Sequence, residues 1–258
     1  MNKVLKKVIQ ISVSLLFWFV VWAIASFRVN NEFLLPSPLN TLKTVGELIS
    51  TKEFWILSAN TFRRIFLGIL YATVIGILLA VITTKLSFAD TLVSPAMGAV
   101  KATPVASFAF LAVLFISHDF LPVFISALLV VPIVWTNVSA GIRSVSLEHK
   151  EVVKIYKIPA SKQITKLYVP NVLPYFLAAC RSAIGLAWKA GVAAEVLCPP
   201  RAAIGTELYY AKTYLETEKL FAVTLLTIIF SIILEKLILV LISKLPIKTA
   251  VVSSEVRA

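Results

Sequence analysis

The chain has 258 residues, 59% of them hydrophobic and only 15% charged, with a mean hydropathy of +0.91 and a formal net charge of +12. A soluble globular domain is about 45–50% apolar and roughly 25% charged, so this composition excludes an ordinary cytosolic enzyme; it also excludes disorder, which needs low hydrophobicity. In a soluble protein the charge would point to nucleic acid, but no basic–aromatic pattern accompanies it, and the alternating segments of about 10 residues that mark a β-barrel are absent. A spanning helix takes roughly 20 apolar residues, so about six of them would fill nearly half the chain. The expected fold class is all-α: a polytopic membrane protein with about six transmembrane helices, short loops and no appended soluble domain.

Residues 8–27 form an uncharged run after Lys3, Lys6 and Lys7. A signal peptide has the same plan, with Ala23-Ile24-Ala25 as a cleavage-like site, but the full-span length favours an uncleaved N-terminal helix, residues 1–27. Residues 28–62 read as an extracytoplasmic loop. Within it, Ser37-Pro38 is a helix start, Ser as cap and Pro at the first helical position. Leu39, Leu42, Val45 and Ile49 then recur at the spacing of an amphipathic surface helix. The core, 63–243, begins with a second span over 65–84. A third, over 91–117, is kinked or broken by Pro95, Lys101 and Pro104, and a fourth covers 120–142. The long charged stretch 143–170 reads as two short helices parted near Ile158-Pro159, with Ser146 capping the first. A fifth span over 172–197, a polar loop over 198–218 and a sixth span over 219–243 precede a basic tail, 244–258. Cys180 and Cys198 lie too far apart along one helix to bridge.

Six spans place both termini on one side. With that side cytoplasmic, thirteen Lys and Arg fall in inner segments and eight in outer ones, the bias expected because positive loops resist translocation. Much of the +12 is therefore a topology signal.

Chemistry-bearing motifs are sparse. There is no G-x-x-x-x-G-K-[ST] phosphate loop and no H-E-x-x-H. The two histidines, His118 and His149, fall on opposite sides of the membrane, so the reading assigns no catalytic residue and no metal site. Gly68, Ala72, Gly76 and Ala80, and again Ala179, Ala183, Ala187 and Gly191, repeat every four residues, which lets helix backbones approach closely in lipid. Lys101, Arg181, Lys189, Glu195, Glu235 and Lys236 interrupt apolar spans, where a charge is costly and marks a functional site or a pair. Glu235 and Lys236 lie late enough to snorkel. Lys101, Pro104, Arg181, Lys189 and Glu195 form a candidate translocation path, with structural pairing as the alternative reading. In the charged loop, apolar Val152, Val153, Ile155 and Tyr156 interleave with charges, as a docking element for a cytoplasmic partner would.

The loop resembles the signature of permease subunits of bacterial ABC importers: E-A-A, three residues, G, nine residues, I-x-L-P. Glu151-Val152-Val153 stands at E-A-A, Lys157 at the glycine and Leu167-Tyr168-Val169-Pro170 at I-x-L-P, with the spacing intact. Both alanines are valine here. The glycine is lysine, although the turn it serves favours φ > 0. Phe33-Leu34-Leu35-Pro36-Ser37-Pro38, Ala102-Thr103-Pro104-Val105-Ala106, Leu173-Pro174, the stretch Gly185–Glu195 and Ile204-Gly205 are similar to segments of the nitrate/sulfonate/taurine-type branch.

The resemblance implies a type I importer permease (MetI-like) fold in the bacterial cytoplasmic membrane. It implies a second permease copy completing the pore, and ATP-binding-cassette ATPase subunits docking on Glu151, Val152, Val153, Lys154, Lys157, Leu167 and Pro170. An extracytoplasmic binding protein would deliver the substrate. No cofactor belongs to this chain; ATP and magnesium would sit on the ATPase. Lys101 and Lys189 are compatible with an anion such as a sulfonate, taurine or nitrate, while uncharged metabolites, including vitamin precursors, stay open. The competing expectation is a stand-alone ion-coupled secondary transporter using Lys101, Lys189 and Glu195; such folds show paired broken helices, and only the third span is broken in this sequence.

Overall fold

The computed structural model describes residues 3–243, which are helical with no strand among them; the expected tail, 244–258, lies outside the described residues. Helix α1 (Lys3–Val29) carries exposed Leu15, Leu16, Phe17 and Trp18, as a lipid-facing helix does. It is fastened at its end, where Trp22 stacks on Phe221 and its Nε1 donates to the Pro36 carbonyl at 3.1 Å. Helix α2 (Pro38–Ser50) begins as expected: Pro38 opens the helix and the Ser37 hydroxyl accepts from Asn40 N.

Helix α3 (Lys52–Lys85) corrects the boundary expected at residue 65. Thr51 caps it by accepting from Phe54 N, so the helix starts within the supposed loop. Its 34 residues span about 51 Å, well beyond the roughly 30 Å hydrocarbon core. The third span is broken as expected, into α4 (Ser87–Ala102) and α5 (Val105–Ala112), with Thr103 and Pro104 extended between them. Helix α6 (Leu121–Arg143) follows, then α7 (Leu147–Ile155), α8 (Ala160–Gln163), a π-helical turn (Ile164–Tyr168) and α9 (Val169–Leu197). The polar loop after α9 contains α10 (Ile204–Thr213), absent from the sequence reading, before α11 (Thr217–Ser243).

The bundle centres on α6, which packs against α3 on one side and α9 on the other. The small-residue stripes make these contacts. A Cβ on Gly68 would lie 2.7 Å from the Val123 carbonyl and 2.8 Å from Ser126 Cβ, and one on Gly76 would lie 2.8 Å from Val134 Cβ. Position advances equally along both chains, so α3 and α6 run parallel. Gly141 meets Val172, whereas Gly191 meets Ser126, so α9 runs antiparallel to them. A cluster of Phe54, Phe62, Trp188 and Phe230 fastens α11 to α3 and α9, and Trp188 Nε1 donates to the Thr227 carbonyl at 3.2 Å. Cys180 and Cys198 are free thiols.

By length and composition, four helices among the described residues can cross a membrane: α1, α3, α6 and α11. The other two expected spans, α4–α5 and α9, fall short on apolarity or length for physical reasons. The break at Thr103-Pro104 divides one of them. Helix α9 lies inside the bundle, where alanine and glycine replace large apolar residues and Arg181, Lys189 and Glu195 interrupt the run. The parallel course of α3 and α6 still requires the chain to return between them, and α4–α5 is that return.

Candidate functional site

The charged loop folds into a defined element. Ser146 Oγ accepts from His149 N to start α7. At the other end Lys157 N donates to the Lys154 carbonyl at 3.3 Å and Ile158 N to the Val153 carbonyl at 3.1 Å. This is the paired 5→2 and 6→1 closure of a Schellman motif, and it needs a left-handed residue at its corner. Lys157 supplies it with φ 47°. The turn expected of the signature glycine is therefore kept by lysine, at a cost of about 1–2 kcal/mol for the Cβ. Lys157→Gly is expected to stabilise this corner by up to about 1 kcal/mol, the gain being offset by greater freedom of the unfolded chain. Slower amide exchange at Ile158 is the measurement that checks it.

Glu151, Val152, Lys154 and Lys157 are exposed, and Leu147, Ile155 and Tyr156 are each about three-quarters exposed. Leu147, Glu151 and Ile155 lie four residues apart on one open helix face. Val153 and Leu167 are half-buried beneath, beside Ile158 and Tyr168. Pro170, exposed in the first turn of α9, has no N–H to give the Lys166 carbonyl. The turn before it widens to the π form, Val169 N reaching the Ile164 carbonyl. The loop residues thus converge on one surface at one end of the bundle.

The candidate path residues do not form one cluster. Lys101 is exposed at the end of α4, its Nζ donating to Thr136 Oγ1 on α6 at 3.0 Å. Pro104 is exposed at the break. On α9, Arg181 is half-buried and Lys189 exposed. Glu195 lies about 120° round α9 from Lys189 and is fully buried. Six residues from Lys189, Glu195 turns inward while the lysine turns out.

Glu195 belongs to a network at the far end of the bundle. Its Oε2 accepts from Thr61 Oγ1 at 2.9 Å and from Gly205 N at 3.1 Å, and Arg64 Nη1 lies 3.7 Å from Oε1. Thr61 Oγ1 also accepts from Ile204 N at 3.0 Å. Arg64 Nη2 donates to Asp119 Oδ1 at 2.8 Å and to the Arg201 carbonyl at 2.7 Å. Four chain segments meet here: α3, the turn before α6, the end of α9 and the start of α10. Gly205 is required, because a Cβ there would fall on Glu195 Cβ. The sequence reading missed Arg64 by leaving it just ahead of the second span, counted among the outer positive residues. The signal was present, since the four-residue stripe of Gly68, Ala72, Gly76 and Ala80 runs back one step to Arg64.

The family model described as binding-protein-dependent transport system inner membrane component matches residues 72–245, about two thirds of the chain. The chain belongs to this family. Among relatives, the permease is 29% identical over 171 residues to the formylaminopyrimidine transport permease protein ThiX of Halalkalibacterium halodurans, covering 65% of this chain and 67% of that one. It is 23% identical over 207 residues to the nitrate import permease protein NrtB of Synechococcus elongatus, covering 76% and 74%. Its fold matches a crystal structure of a bacterial ABC transporter involved in the import of the acidic polysaccharide alginate. That match has a TM-score of 0.66 at 14% identity and covers 95% of this chain and all of that one. The permease is a membrane-embedded transport component of an ABC importer, in the branch the sequence resembles.

Proposed function

We propose that the permease is one membrane half of an importer in which two copies frame the pore, cytoplasmic ATPase subunits dock on α7, and an extracytoplasmic binding protein delivers a small anion. The supporting observation is the open apolar face of α7, with Leu147, Ile155 and Tyr156 about three-quarters exposed beside Glu151. An apolar helix face left in solvent is suited to a groove on a partner. Both ends of this helix are fixed by hydrogen bonds, so a partner would find the face pre-formed. ATP, bound by that partner, would act on this chain through the docked helix alone.

The inner side of the membrane, with both termini, is assigned from the excess of Lys and Arg there. The anion assignment follows from sign. With Glu195 buried against Arg64, the charged path candidates that remain, Lys101, Arg181 and Lys189, are all basic. Nitrate, transported by one relative, has the matching charge.

Docking is tested by co-purifying tagged permease with its co-encoded ATPase. Glu151→Ala, or Lys154→Glu with Lys157→Glu, is expected to lower ATPase recovery at least 10-fold while the permease still inserts in the membrane. Unchanged recovery would reject the docking surface.

A further inference from the structure

Between the α7–α8 end of the loop and the helices lies a cleft that transport does not account for. Its volume is about 590 Å³, within the usual range of small-molecule pockets, about 300–1,000 Å³. Val138 of α6 forms its floor, and Val81 of α3 and Phe176 of α9 its walls. Lys85, Arg143 and Lys150 stand at its rim. Arg143 is paired with Asp90 at 2.9 Å, tying α6 to the first turn of α4. Lys85 and Lys150 are exposed and have no ion pair among the described residues. Two free cations therefore sit over an apolar slot.

Ile77 and Val81 of α3 line the slot and are each more than a third exposed. Ile77 lies eight residues before Lys85, about 12 Å deeper along the helix. An apolar wall running that far from a charged rim matches an acyl chain under a headgroup; a water-soluble anion needs the rim but not the wall, and a protein side chain needs neither at this depth. Basic pockets between membrane helices on the cytoplasmic side are suited to anionic headgroups.

We propose that this cleft binds one anionic phospholipid of the inner leaflet, its acyl chain against Val81, Val138 and Phe176 and its phosphate between Lys85 and Lys150. The leaflet rests on the cytoplasmic placement of the loop; the binding itself does not, and neither depends on ATPase docking. The test is native mass spectrometry of the full chain, alone and with its ATPase, released from nanodiscs of equal parts phosphatidylglycerol and phosphatidylcholine. The expected result is one phosphatidylglycerol kept per permease in preference to phosphatidylcholine. Retention should fall at least 10-fold in Lys85→Gln/Lys150→Gln and in Val81→Trp, which fills the slot from the apolar side. Lys162→Gln/Lys166→Gln removes the same charge elsewhere on the loop and should keep the lipid. Equal retention of both lipids, no retention, or equal loss in the control variant would overturn the site. So would displacement by millimolar inorganic phosphate, which would make it a free-anion site, or loss of the lipid when the ATPase binds, which would make the cleft part of the docking surface.

Discussion

Arg64→Ala is expected to destabilise the permease by about 3–5 kcal/mol, the cost of leaving a buried charge without its partner. Glu195 is fully buried, and without the guanidinium its carboxylate would retain only the Thr61 hydroxyl and the Gly205 N–H among its contacts. The same substitution strips the Arg201 and Ala202 carbonyls and Asp119 of their donor. At about 2–4 °C per kcal/mol for a chain of this size, thermal unfolding in a fixed detergent should drop by roughly 10 °C. Glu195→Gln in the Arg64→Ala background should recover part of the loss, because the charge is removed with its partner. Lys189→Ala, on the exposed side of the same helix, should stay within about 0.5 kcal/mol of the parent. Melting of Arg64→Ala together with the parent would show that the network carries no stability.

The second large effect concerns glycines. In lipid no hydrophobic force drives helix against helix, so close backbone approach carries much of the association. Gly68→Ala pushes a methyl group to 2.7 Å from the Val123 carbonyl, and Gly191→Ala places one 2.6 Å from Ile65 Cγ1 and 2.7 Å from Ser126 Oγ. Over-packing of this kind costs about 1–3 kcal/mol. Gly205→Ala strikes Glu195 directly and should rank as the most damaging of the three. Gly185 lies on α9 too, yet a Cβ there meets nothing within 4 Å, so Gly185→Ala should raise stability by roughly 0.5–1 kcal/mol through helix propensity. Opposite signs at Gly185 and Gly191, six residues apart, distinguish packing from a general glycine effect. A common sign in the melting series would refute it.

Local features of the fold were legible because their chemistry is local. The Ser37 cap, the break at Pro104, and the two short helices around Ile158-Pro159 each depend on residues within one turn of the feature. The small-residue stripes were legible as periodicity, and the packing they make agrees with it. What escaped needs partners distant in sequence. The early start of α3 at Lys52 depends on Thr51 as cap, in a segment whose polarity resembles a loop. Arg64 looked solvated beside Arg63, and helical phase puts one inside and the other outside. The neighbours of Glu195 were not legible, because Thr61 and Arg64 lie on a helix far earlier in the chain. Lys157 is a different case: the sequence placed a side chain where glycine is favoured, and the backbone took the left-handed corner regardless.

The loop and the buried network are joined by one helix. Helix α9 grows out of the π turn beside the proposed docking surface and ends at Glu195 and Leu197, 29 residues later, a length of about 44 Å. If a partner docks on the loop as proposed, this helix would act as a lever arm with its load at one end and its handle at the other. A tilt of about 10° imposed at the loop would carry the far end by about 8 Å, most of one helix diameter. The ion pairs and hydrogen bonds among Arg64, Asp119 and Glu195 span less than half of that distance, so the network would have to part or travel with the helix.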